Sequence, residues 1–463
     1  MVKIKTDLLS GNIVRSLLVF AVPMLLSRIF QQLYNTADVV IVGYYLGEAS
    51  LAAIGACTVI FELLIGFAMG VGGGFGIVVA RSYGAGDHDL LKRTVAGALV
   101  IGILLTLFIS VTASLFMMPI LKLINIPEHI IDEAYSYITI LIAFAVVLFS
   151  YNLCAGLLRA IGNSIMPLVF LVISSLLNIV LDIIFITQLN MGVHGAAVAT
   201  VVSQGISALL CLIYIYKKCP ILIPQRKHFL NNTSLYKELV AQGLSMGFMM
   251  SIVTLGSVVL QRAINGLGYL VIAGHTAARK LNTFCLIPIS TIAVALTTFV
   301  SENKGANQLD RIKKAVRYGN FIAVIWGAFI SVVLLFFSGV LIKLLSGSNE
   351  SIVIENGKRY LMINSPFYII LGMLLNFRHA LQGIGKKIVP IISSVMELAG
   401  KIIFALFLVP VFGYFAVIIC ELAIWYVMFI QLIFSFYTNS YIRGKSGDRN
   451  ILRWQMGTAT PKA

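Results

Sequence analysis

Residues 174–185 read SSLLNIVLDIIF, an aliphatic run interrupted by Ser174, Asn178 and Asp182 at intervals of four. On a helix that spacing stacks a hydroxyl, an amide and a carboxylate on one face. A second stripe runs through Ser27, Gln31, Tyr34, Asn35 and Asp38, and a third through Thr200, Ser203, Gln204 and Ser207. Two carboxylates among amide and hydroxyl oxygens can hold a proton, or a hard cation such as Na+. No HExxH, no serine elbow and no phosphate-binding GK[ST] accompanies them. The chemistry indicated is reversible ion binding, with energy drawn from an ion gradient, rather than bond making.

The elements that carry these stripes must lie in a membrane. The 463 residues are 59% hydrophobic and 11% charged, with a mean hydropathy of +0.97, whereas soluble domains hold about 25% charged residues. A spanning helix needs about 20 largely apolar residues. Twelve such stretches are present, centred on 16–40, 52–77, 94–118, 134–157, 165–187, 195–216, 241–263, 270–298, 317–340, 359–381, 388–410 and 414–437. An ionisable group at mid-bilayer costs at least ~2.5–3.5 kcal/mol on insertion scales. Asp38 and Asp182 on polar stripes are therefore read as functional. Glu62 and Glu421 are single membrane acids, and Arg28 is placed to snorkel or to pair with an acid.

Other features have plainer readings. His275 and His379 lack metal-ligand spacing and are expected as hydrogen-bonded packing residues. Met246, Met249 and Met250, with Phe248, form either core or an adaptable wall for varied substrates. The six cysteines are scattered without a CxxC and are read as small hydrophobes. Gly66, Gly70 and Gly74 share a face and imply close helix approach or a hinge. GAGD at 84–87 matches an intramembrane aspartyl-protease pattern but falls in a basic loop, which disfavours an enzyme.

The net charge of +16 is unevenly placed. With the N-terminus inside, 25 of the 34 Lys and Arg lie in inside segments and four (Lys122, Lys343, Lys358, Arg359) in outside loops. This positive-inside bias predicts both termini in the cytoplasm, with basic loops against lipid headgroups and no nucleic-acid partner.

The chain also repeats. YYLGEASLAA (44–53) aligns with NGLGYLVIAG (265–274), and YGAGDHD (83–89) with KGANQLD (304–310), both at an offset of 221. LRAIGNSIMP (158–167) aligns with LQGIGKKIVP (381–390) at an offset of 223. Six helices per repeat predict two lobes related by an axis along the membrane normal, with substrate near the midplane between them. The expected divisions are an N-lobe over 1–216, an inter-lobe linker over 217–238, a C-lobe over 239–440 and a basic tail over 441–463. The second half does not repeat the stripes. Asp38 maps to Val259 and Asp182 to Ala405, while Ser174 and Asn178 map to Glu397 and Lys401, an i,i+4 pair able to neutralise itself. Ion chemistry is thus expected in the first half.

These motifs together resemble the multidrug and toxic compound extrusion (MATE) family over nearly the whole chain. PMLLSRIFQQLYNTADVVIVGYYLG (23–47) resembles its first helix, RSYGAGD and LRAIGNSIMP its 2–3 and 4–5 loops, NIVLDIIFI (178–186) its fifth helix, and GVHGAAVAT (192–200) the start of its sixth. The resemblance implies an all-α antiporter of twelve helices in the plasma membrane that exchanges H+ or Na+ for bulky organic cations. It assigns coupling to Asp38, Asn178, Asp182 and Thr200, with Tyr34 and Tyr137 alongside. Gln31, Asn35, Ser174, Gln204, Met249 and Met250 are further substrate-site candidates. Val253 stands where one branch carries an acid, which favours the DNA-damage-inducible F branch. No cofactor and no obligate protein partner are expected, and a monomer suffices. The alternatives are a flippase for a lipid-linked saccharide or cell-wall precursor and, in another class, an intramembrane enzyme.

Overall fold

The computed structural model describes residues 5–124, 126–229 and 232–444. The tail assigned to 441–463 is therefore described only as far as Gly444. Among the described residues there are helices and no strands. The N-lobe comprises α1 (Ile13–Leu46), α2 (Glu48–Gly84), α3 (His88–Leu123), α4 (Glu128–Ala143), α5 (Ala145–Arg159), α6 (Ile165–Ile183) and α7 (Gly192–Lys218). The C-lobe comprises α8 (Thr233–Asn265), α9 (Tyr269–Gly305), α10 (Leu309–Ser346), α11 (Ser351–Asn364), α12 (Tyr368–Gly383), α13 (Ile388–Ile403), α14 (Val409–Phe412) and α15 (Tyr414–Thr438). Among the described residues, eleven helices or continuous helix runs are long and apolar enough to cross a membrane, and α4 with α5 forms a twelfth span bent by 48°. Each of the twelve predicted stretches corresponds to one of these spans.

The repeat is visible in the backbone. Gly47 and Gly268, 221 residues apart, both hold positive φ (87° and 96°) between two spans. Only glycine adopts that conformation without strain, so both sharp turns need it. The offset grows from 221 to 223 along α3 and α10, which begin 221 and end 223 residues apart, and the spans that follow are broken differently. A single residue, Phe144, separates α4 from α5, whereas a three-residue 3-10 turn, Ser365–Phe367, separates α11 from α12. Pro366 accounts for the second break, since it has no N–H to donate. The equivalent N-lobe bend contains neither Pro nor Gly.

Between the lobes, described residues of the linker form two 3-10 turns, Pro220–Leu222 and Arg226–Phe229. His228 and Lys227 reach Asp89 at the start of α3 at 3.1 and 3.4 Å. The lobes touch most closely along the second half of α2. A Cβ on Gly70 would lie 2.7 Å from the Met246 carbonyl oxygen, and one on Gly74 2.5 Å from that of Gln242, both on α8. At the basic end the approach is tighter still: Gly84 and Gly305 would meet the carbonyl oxygens of Glu302 and Arg81 at 1.9 and 2.0 Å. Gly66, grouped with this face from its spacing, meets nothing within 4 Å and takes no part. Glu238 of α8 ties this end together, with Arg81 of α2 at 3.1 Å and Lys387 on its other oxygen. Asp87 accepts the Leu90 amide as the N-cap of α3, a structural role that leaves the GAGD match without chemistry.

Candidate functional site

In the N-lobe, Asp182 sits in the last α-helical turn of α6, just before a π-helical segment, Ile184–Gln188. Ser174, Asn178 and Asp182 are all buried on one face, Asp182 completely. The neighbouring α1 brings the Asp38 carboxyl within hydrogen-bonding reach of Asp182. Both Asp182 oxygens, Oδ1 of Asp38 and both amide atoms of Asn178 are buried with no hydrogen-bond partner. A pair of ionised carboxylates offers acceptors only. These two can therefore bond only when a proton or a cation lies between them, and the unpartnered Asn178 carbonyl adds a third oxygen of the kind a hard cation takes.

Tyr34 lies near Gln31 and Gln204, and Tyr137 of α4 lies near both acids. Gln204 is itself buried with Oε1 unpartnered. Thr200 is half-buried on α7, which packs on α6, and its carbonyl accepts the Ser203 hydroxyl at 3.0 Å. Tyr34, Asp38, Tyr137, Asp182 and Gln204 thus come together where α1, α4, α6 and α7 converge.

The remaining candidates fall elsewhere. Gln31 and Asn35 are exposed on α1 and line a cleft of about 630 Å³ whose other walls belong to the C-lobe. Met249 is buried and takes the Gln382 amide on its sulfur at 3.1 Å, a packing contact. Met250 is exposed beside Phe248, whose ring meets Phe67 of α2 edge-on at 5.4 Å.

The C-lobe wall of this cleft is more charged than the sequence alone implies. Glu397 pairs with Lys401 at 2.9 Å, as its i,i+4 spacing predicts. Its other oxygen lies 3.7 Å from Arg378, which is buried within α12. Glu421, a lone acid in the sequence, accepts from Arg279 at 2.7 Å and from the Tyr360 hydroxyl at 2.7 Å. His275 lies against the Tyr414 hydroxyl at 3.2 Å, and His379 against Thr297 at 2.8 Å. Arg28 reaches across from α1 to the Ser290 hydroxyl at 2.9 Å rather than to an acid. Glu62 is exposed on α2. Sequence reasoning misses Arg279, Arg378 and Tyr360 because their partners lie far off along the chain. The available signal is that an intramembrane Arg and an intramembrane Glu without local partners tend to find each other.

The sequence model of the MatE family matches residues 23–184 and again 246–407, the two halves at an offset of 223. The chain belongs to the MatE family. A probable multidrug resistance protein of Bacillus subtilis, YoeA, is 26% identical over 393 residues, covering 83% of this chain and 84% of that one. YpnP, another probable multidrug resistance protein of the same organism, is 27% identical over 310 residues, 66% and 68% of the two chains. A crystal structure of MATE in the bent conformation superposes with a TM-score of 0.85 at 23% identity, covering 95% and 98%. MatE membership and this superposition together establish the fold as an all-α membrane protein with twelve spanning helices in two lobes.

Proposed function

We propose that this MatE-family protein is a secondary active exporter of organic cations, driven by inward movement of H+ or Na+ through the N-lobe acids. The names of its relatives support drug-like substrates, and the excess of Lys and Arg in alternate loops supports placing both termini in the cytoplasm. The observation that carries the reading is the Asp38–Asp182 pair with its unpartnered oxygens beside Asn178. Burial without a protein partner disfavours a charged carboxylate, so the pair gains from every proton or cation it takes up.

Asp38 and Asp182 hold the coupling ion, and Asn178 and Thr200 supply neutral oxygens around it. Tyr34, Tyr137, Ser174 and Gln204 line the same pocket, and Gln31 and Asn35 continue it into the cleft. Occupied, the pocket loses its negative charge and releases a cationic drug; emptied, it regains that charge and binds the next. A ligand shifts a conformational equilibrium only through its different affinity for the two states. Here the difference is the charge of one carboxyl pair, read by lobes that rock about the α2–α8 contact.

The test is ethidium efflux from cells carrying Asp38→Asn or Asp182→Asn at matched expression. Loss of energised efflux in both is expected; retention in both refutes the assignment.

A further inference from the structure

The cleft beside the ion pocket carries a charge arrangement that export of cations does not require. Its C-lobe wall holds two acids, and each is already engaged. Glu421 lies between Arg279 and Tyr360, and Glu397 between Lys401 and Arg378. Three cations that line the cleft (Arg28, Arg279 and Lys401) thus stand against two carboxylates, with Arg378 buried behind Glu397. Among the described residues no carboxylate lies within ion-pair distance of Arg28, which donates to the neutral Ser290 hydroxyl. Ser290 and Arg28 line the same cleft as Leu286, Leu371 and Trp425.

A half-buried guanidinium without an anion leaves its charge uncompensated and donors unused. Its planar fork matches a carboxylate through two parallel hydrogen bonds. Arg28 uses one of its nitrogens on Ser290, which fixes the group in place and leaves others free. The apolar side chains around it suit a hydrophobic body attached to that carboxylate.

We propose that the cleft seats the carboxylate of an amphiphilic organic anion or zwitterion on Arg28, so that the compounds bound include ones the N-lobe acids alone would repel. The site deepens the export reading and rests on it only for the transport of a compound once bound.

The test uses purified full-length protein, fluorescence polarisation and two dyes. Rhodamine 110 carries a free carboxylate; rhodamine 123 is its methyl ester. Arg28→Gln is expected to weaken rhodamine 110 binding about tenfold or more, in line with a lost charge-assisted bond, and to leave the ester within about twofold. Arg28→Lys is expected to recover part of the loss, because the charge remains while the fork is gone. Benzoate is expected to displace rhodamine 110, while phosphatidic acid is not. No binding of rhodamine 110 by the wild type, or no change in Arg28→Gln, overturns the proposal. So does an equal loss for both dyes. Displacement by phosphatidic acid alone would assign the seat to a lipid phosphate and equally overturn it. Binding is read without a gradient, so retention of driven efflux in Asp182→Asn refutes the coupling assignment and leaves this readout intact.

Discussion

Helices α6 and α13 begin 223 residues apart, and each runs into a five-residue π-helical segment. In the N-lobe 19 residues of α-helix precede that segment; in the C-lobe only 16 do. The π turn therefore arrives nearly one helical turn early in the C-lobe. Ala405, aligned with Asp182, falls inside it. On α6 the polar face carries Ser174, Asn178 and Asp182, the last two with buried atoms left unpartnered. On α13 the equivalent face carries Glu397 and Lys401, bonded to each other. One repeat holds buried acceptors without a protein partner, and the other supplies its own counter-charges. The two repeats are thus frames of similar shape with different electrostatics.

The comparison makes crossed predictions. Asp182→Asn and Asp38→Asn should show the largest functional effect, loss of ion-driven efflux. They should leave thermal stability in detergent unchanged or slightly higher, because each removes a desolvated charge that no protein group satisfies. Glu421→Gln should do the reverse. It strips Arg279 of its counter-charge and is expected to lower stability by roughly 1–3 kcal/mol, reduced from the fully buried case because Arg279 is partly open to the cleft. Glu421→Gln combined with Arg279→Gln should recover part of that loss, read as a double-mutant cycle of melting temperatures. If Glu421→Gln abolishes ion dependence while Asp182→Asn keeps it, the division of labour between the lobes is wrong.

Two smaller effects sharpen the picture. Gly74→Val places a side chain against the Gln242 carbonyl, 2.5 Å from even a Cβ. It should force the lobes apart at this crossing, seen as faster labelling of a cysteine introduced at Gln242. Glu238→Gln leaves Arg81 and Lys387 with a neutral partner at the basic end. These groups are partly exposed, so a loss of about 0.5–1 kcal/mol is expected, visible as a modest rise in cysteine accessibility there.

Much of this is legible in the sequence. Twelve apolar stretches become twelve spans because backbone groups in a bilayer leave the helix as the one solution for such segments. The stripes of Asp38 and Asp182 are legible because i,i+4 spacing is a local property, as is the Glu397–Lys401 pair. What the sequence hides is tertiary. Arg279 meets Glu421 across 142 residues, and no local spacing encodes that meeting. Arg378 falls inside the stretch 359–381, but its burial in α12 against Glu397 is a tertiary fact. The bend at Phe144 carries no Pro or Gly to announce it, whereas its counterpart at Ser365–Phe367 contains Pro366. Gly66 shares a face with Gly70 and Gly74, but only the latter two lie where α8 crosses.

The most direct test places purified wild type, Asp182→Asn and Glu421→Gln in proteoliposomes loaded with ethidium, with a ΔpH or a Na+ gradient imposed separately. Ethidium movement driven by at least one gradient in the wild type and in Glu421→Gln, and by neither in Asp182→Asn, is the predicted result. Gradient-driven movement that survives in Asp182→Asn would contradict the account.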